Sequence, residues 1–170
     1  MRTTLALLTL VAATTVRAEE MPIFDAHLHY SHDAWEVVPP KAFIDILKKS
    51  GIRRALVSSS NNEGTRMLQD VAADMIVPEL RPYRSRGEIS SWPRDPTVIP
   101  FLEDLLAKRK YVAIGEFHIY GADADLPNMR AVVQLAKKHG LFLHSHSDSA
   151  AVERHFQQDP DARDRKSTRL

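Results

Sequence analysis

Histidine and glutamate recur at two-residue spacing in three places along this chain: His27-Leu28-His29, Glu116-Phe117-His118 and His144-Ser145-His146. A neutral imidazole offers a lone pair, and a carboxylate offers charge as well. Together they are the ligands that borderline divalent cations such as Zn²⁺ or Mn²⁺ prefer. The chain contains no cysteine, so any metal must be held by nitrogen and oxygen. One or two ions fit this set, because a carboxylate such as Glu116 can bridge. The chemistry such a centre offers is a bound water of lowered pKa that attacks an electrophilic carbon or phosphorus.

The spacing has meaning only on a strand, where residues two apart share a face. Strands are predicted at Ile23–His29, Arg54–Ser59, Ile76–Arg81, Val112–His118 and Leu141–His144. Alternation then aligns Asp25, His27 and His29 on one face, with Phe24, Ala26 and Leu28 opposite. It likewise aligns Ile114, Glu116 and His118, and Phe142, His144 and His146. Helical apolar spacing falls between the strands, at Pro40–Ser50, Glu63–Met75, Pro96–Arg109 and Pro127–His139, with a further helix at Ser149–Gln158. Gly51 and Gly140 follow two of these helices as left-handed caps. Pro40, Pro96 and Pro127 sit near helix starts, where a missing N–H costs nothing.

Strands separated by crossover helices pair in parallel, with right-handed crossovers. The expected fold class is therefore α/β, a (βα)n array that either winds open or closes into an eight-fold barrel. No glycine-rich phosphate loop follows the first strand, which argues against a dinucleotide-binding sheet. In either arrangement, polar groups at C-terminal strand ends converge on the active site. His27, His29, His144 and Glu116 are the expected metal ligands. His118 and His146 are open between ligand, substrate contact and a donor that orients a ligand. Arg81 either clamps a substrate carboxylate or closes a salt bridge at its strand end. His32 reads as a loop residue, His139 as a cation at a helix C-terminus and His155 as part of a solvated helix face. The connection from Tyr83 to Pro96, with Arg84, Arg86, Glu88 and Trp92, reads as a lid or binding loop.

Composition narrows the class. The chain of 170 residues is 44% hydrophobic and 26% charged, which suits a globular domain. Residues 1–18 differ: Met1-Arg2 is followed by an uncharged run to Val16, and Val16-Arg17-Ala18 matches a signal-peptidase site. The run is too short to anchor the chain in a bilayer, so export to the periplasm or outside the cell is expected. Loss of Arg2 and Arg17 with this leader takes the formal charge from +1 to −1. A near-neutral protein has no electrostatic footprint for nucleic acid, so a small-molecule substrate is expected.

These motifs resemble the amidohydrolase superfamily of metal-dependent TIM barrels. Phe24-Asp25-Ala26-His27-Leu28-His29 is similar to its first-strand D-x-H-x-H signature. Val112-Ala113-Ile114-Gly115-Glu116 resembles the fourth-strand Ile-Gly-Glu of TatD-like nucleases. Leu141-Phe142-Leu143-His144-Ser145 resembles the fifth-strand histidine segment shared by TatD-like and amidohydrolase-related proteins. The resemblance spans residues 22–158. It implies an incomplete (β/α)8 barrel of about five βα units, with His27, His29, Glu116 and His144 as ligands. It also implies hydrolysis of C–N, C–O or P–O bonds, with some relatives decarboxylating; the low charge disfavours a nuclease.

The resemblance departs from the pattern at the end of the chain. A closed barrel of this kind takes about 250 residues, and the superfamily's sixth-strand histidine and eighth-strand aspartate have no counterpart here. Residues 159–170 form a polar tail with Arg163, Arg165, Lys166 and Arg169 and no strand pattern. The expectation is a truncated or misjoined reading frame, non-native from about Asp164, whose fifth strand is an exposed edge. The isolated chain should then self-associate through that edge. Size-exclusion chromatography checks this: oligomers are expected, and a cooperatively melting monomer would count against it.

Overall fold

The computed structural model describes residues 21–162 and 164–166. The segment read as an export leader, residues 1–18, lies outside the described residues. Strands β1 (Ile23–Leu28), β2 (Ile52–Ser58), β3 (Ile76–Leu80), β4 (Ala113–Ile119) and β5 (Phe142–Ser147) all pair in parallel and in sequential order. Sequential order has no point where the winding reverses, so it excludes the doubly wound alternative and fits a curled half-barrel.

Helices follow each strand. They are α1 (His32–Trp35), α2 (Pro40–Lys49), α3 (Glu63–Val71), α4 (Val98–Lys108), α5 (Pro127–His139) and α6 (Ser149–Gln158). Gly51 and Gly140 both take positive φ beyond α2 and α5, as the caps require. α4 begins at Val98 rather than at Pro96, because Thr97 is held as its cap by Asp95, which accepts from the Thr97 amide at 2.8 Å. Among the described residues, no helix is long and apolar enough to cross a membrane.

The apolar side of the strands packs against these helices in two clusters. Tyr30, Ile44, Val57 and Leu68 lie at the heart of one, around β1, β2, α2 and α3. Trp92, Phe117, Leu102, Met129 and Leu143 centre the other, around β3 to β5, α4 and α5. Phe117 points into that second core while its neighbours Glu116 and His118 face the other way, the alternation a strand imposes.

Three sequence readings change. The Tyr83–Pro96 connection is pinned rather than free: Trp92 is fully buried with its ring 5.5 Å from that of Phe117, and the connection itself forms short 3-10 turns at Arg86–Glu88 and Trp92–Arg94. His155 is fully buried against Phe117 rather than solvated, because α6 folds back onto β4. His32 opens α1 instead of lying in a loop. The tail also supplies a short strand, β6 (Asp164–Lys166), parallel to β5. The exposed-edge expectation for β5 is corrected over Leu143 to Ser145, since an open edge offers backbone groups that any sequence can pair.

Burying Trp92 links the connecting loop to the core. Trp92→Ala is expected to cost about 3–5 kcal/mol, the usual range for deleting a buried large aromatic. The urea midpoint of the variant against the parent chain measures it.

Candidate metal centre

Parallel pairing carries the polar ends of the strands to one side of the sheet. Nε2 of His27 lies 3.0 Å from Nε2 of His29, and these atoms lie 3.4 and 3.1 Å from Oε2 of Glu116. A tetrahedral zinc ion with bonds of about 2.0–2.1 Å requires ligand atoms about 3.3–3.4 Å apart. The three edges observed are close to that triangle. The imidazoles are open to solvent on their outer side, while Glu116 is buried.

The backbone places Glu116 by a local irregularity. Gly115 pairs with His144 and Phe117 with Ser145, so Glu116 is an extra residue in β4. Its amide donates to Oγ of Ser58 at 2.9 Å. Gly115 has φ +154, and a Cβ there would come within 2.3 Å of the His144 carbonyl and 2.9 Å of Oε1 of Glu79. Only glycine leaves room for what lies beside it.

That neighbour is a buried pair. Nδ1 of His144 is 2.8 and 3.0 Å from the two carboxylate oxygens of Glu79, and both residues are about 1% exposed. A carboxylate can only accept, so the His144 proton sits on Nδ1 and its lone pair on Nε2. That Nε2 is buried with no hydrogen-bond partner, and the ring stands 4.9 Å from the ring of His27. A buried lone pair without a partner, beside the triangle of His27, His29 and Glu116, is what a bound cation would satisfy. His29 likewise donates from Nδ1 to the Ser58 carbonyl at 2.7 Å, so its Nε2 faces the cluster, giving a proton to Glu116 or, once that proton is displaced, a lone pair to a cation.

Electrostatics keep Glu116 ionised. Burial pushes its carboxyl up, but hydrogen bonds from His27 and His29 and the charge of Arg81 hold it far below the usual carboxylate range. Arg81 donates to Oε2 of Glu116 at 2.8 Å and to Oγ of Ser60 at 2.8 Å, and it is buried. Of its two sequence readings, the structure displays the salt bridge, and the guanidinium is engaged within the protein.

His118 and His146 form a second group with Glu116 whose ligand atoms come within 4.8 Å of one another. They are direct cross-strand partners, so their rings stack at 4.6 Å and 21°. Nδ1 of His146 lies 3.2 Å from Oε1 of Glu116, and Nδ1 of His118 lies 3.1 Å from the Tyr83 hydroxyl. Burial lowers the basicity of His118 and raises the Tyr83 phenol to about 12. Asp25 stays out of the cluster and accepts from the His27 amide at 3.0 Å.

Ser58, Glu79 and Tyr83 were not among the sequence candidates. Glu79 could have been found: alternation through Ile76–Leu80 puts it on the same face as Arg81. Ser58 and Tyr83 matter only through register between strands, which no local spacing encodes. No protein-family model matches the sequence, and no curated protein matches it.

Glu79 offers the cleanest test of this support. Glu79→Ala should weaken zinc binding about 10–100-fold, the usual effect of removing a partner that orients a ligand histidine. Isothermal titration with zinc reads the change.

Proposed function

We propose that this chain carries the metal-binding part of a hydrolase of the amidohydrolase type, exported and acting on a small-molecule amide, ester or related bond. The observation that carries the reading is the near-tetrahedral triangle of His27, His29 and Glu116 beside the unpartnered Nε2 of His144. Sequential strand order in a curled half-barrel, with these groups at C-terminal strand ends, supports placing it in an incomplete (β/α)8 barrel.

His27, His29, Glu116 and His144 would hold the ion, zinc by the nitrogen-rich character of the set, with manganese as the alternative. When bound, a divalent ion would lower the pKa of a water and polarise the scissile group. The remaining work belongs to the protein. The Ser58 carbonyl and the Glu79 carboxylate fix His29 and His144 as Nε2 lone-pair donors. Arg81 neutralises Glu116 without protonating it, so its oxygens stay available to a cation. Tyr83 and Trp92, both buried in the β3–α4 connection, hold His118 from behind.

A second reading, an exported metal-binding module without catalysis, is favoured by the solvent-open side of His27 and His29. Turnover of a panel of esters, lactones and amides separates the two, and carbon dioxide release would mark a decarboxylase of the same class.

Purified chain should retain zinc through dialysis at pH 7.5 and lose it in His27→Ala, as measured by atomic emission. Retention should fall as pH drops below about 6, because protons compete for imidazoles whose ordinary pKa is about 6.5. Equal zinc in the variant and the parent would sink the reading.

A further inference from the structure

Tyr83 is fully buried, and its hydroxyl has one hydrogen-bond partner among the described residues, Nδ1 of His118. A buried hydroxyl that cannot reach water must place its proton on an acceptor, or forfeit about 1–3 kcal/mol. Nδ1 is the acceptor within reach. Its lone pair is therefore taken, and the ring proton must sit on Nε2. A doubly protonated ring would also carry a proton there. This is the reverse of His29 and His144, where a carbonyl or carboxylate at Nδ1 leaves the lone pair on Nε2.

We propose that His118 is a fixed N–H donor to an acceptor oxygen of the substrate, a carbonyl or phosphoryl oxygen, and not a ligand of a second metal ion. The inference rests on the metal-hydrolase reading for there being a substrate at this mouth, but the polarity of the ring stands on its own contacts. The ring is held from two sides and its backbone from a third. It stacks on His146, Tyr83 meets Nδ1, and the residue's carbonyl accepts from Nε1 of Trp92 at 3.2 Å. Among the described residues nothing hydrogen-bonds its Nε2, and the residue is only half-buried, so a ligand can reach it. The Arg81 guanidinium lies 5.2 Å from the centre of the Tyr83 ring, a contact that favours a polarised phenol as donor. A preset donor of this kind stabilises negative charge that develops on oxygen without reorganising. His118 thus adds substrate recognition to a site in which His27, His29 and His144 serve the metal.

Magic-angle-spinning NMR of the full chain with ¹⁵N-labelled histidine reads ring tautomers whether the protein is monomeric or assembled. With zinc added, the signal that disappears in His118→Gln should show a protonated Nε2 and an unprotonated Nδ1. In Tyr83→Phe the same ring should become a mixture of tautomers. Zinc content should be equal in His118→Gln and the parent, because His118 is not a ligand; glutamine, a poor zinc ligand that keeps an N–H donor, would lose a zinc equivalent if it were. An Nδ1–H tautomer in the parent, an unaltered ring in Tyr83→Phe, or loss of a zinc equivalent in His118→Gln would each overturn the proposal. A parent chain that binds no zinc would instead overturn the metal reading, and the tautomer would then be read in the zinc-free protein.

Discussion

A carboxylate taken out of water has to be compensated, and in this fold the carboxylate is that of Glu116. Desolvation alone would force it to protonate. Arg81 from the end of β3, His27 and His29 from the end of β1 and His146 from β5 all converge on its carboxylate instead, while the Ser58 hydroxyl from β2 accepts from its backbone amide. Removing one partner of a buried ion pair typically costs about 3–5 kcal/mol, so the Arg81 contact is structural as well as chemical. Because the compensating groups come from the ends of β1, β3 and β5, the sheet must curl around Glu116 for all of them to reach it. The site and the curvature are one constraint.

The same residues divide their labour by face. Phe117 and Leu143 turn outward into the helices and supply the apolar burial that holds β4 and β5, while Glu116, His118, His144 and His146 turn inward. The β3–α4 connection serves both sides at once. Trp92 fills the outer core, yet its indole N–H reaches the His118 backbone. Gly115 marks where the two demands meet, since the space a side chain would need is already occupied by the Glu79–His144 pair. Packing and chemistry therefore cannot be varied independently along β4.

Among the imidazoles, identity matters less than what sits at Nδ1. A carbonyl or carboxylate there leaves a lone pair at Nε2, and a buried tyrosine there leaves a proton. Four histidines that look equivalent in the sequence are thereby assigned opposite polarities by Ser58, Glu79, Glu116 and Tyr83. Each of those partners lies about 29 or more residues away along the chain, so the assignment is tertiary in origin.

What the sequence determined by itself was periodic: five parallel strands, the helices between them, the glycine caps at Gly51 and Gly140, and the face on which His27, His29, Glu116, His118, His144 and His146 stand. A period of two and a period of 3.6 are local properties, and they survive folding intact. Lateral register was decided only by the tertiary structure. The extra residue at Glu116 sets which oxygen meets which ring. The pairing of Gly115 with His144 makes room for Glu79, and the fold-back of α6 buries His155. The short strand Asp164–Lys166 has no apolar pattern in its sequence to announce it. Spacing along a chain encodes the direction of a side chain. Its partner depends on which strands lie side by side, and that follows from packing the whole sheet.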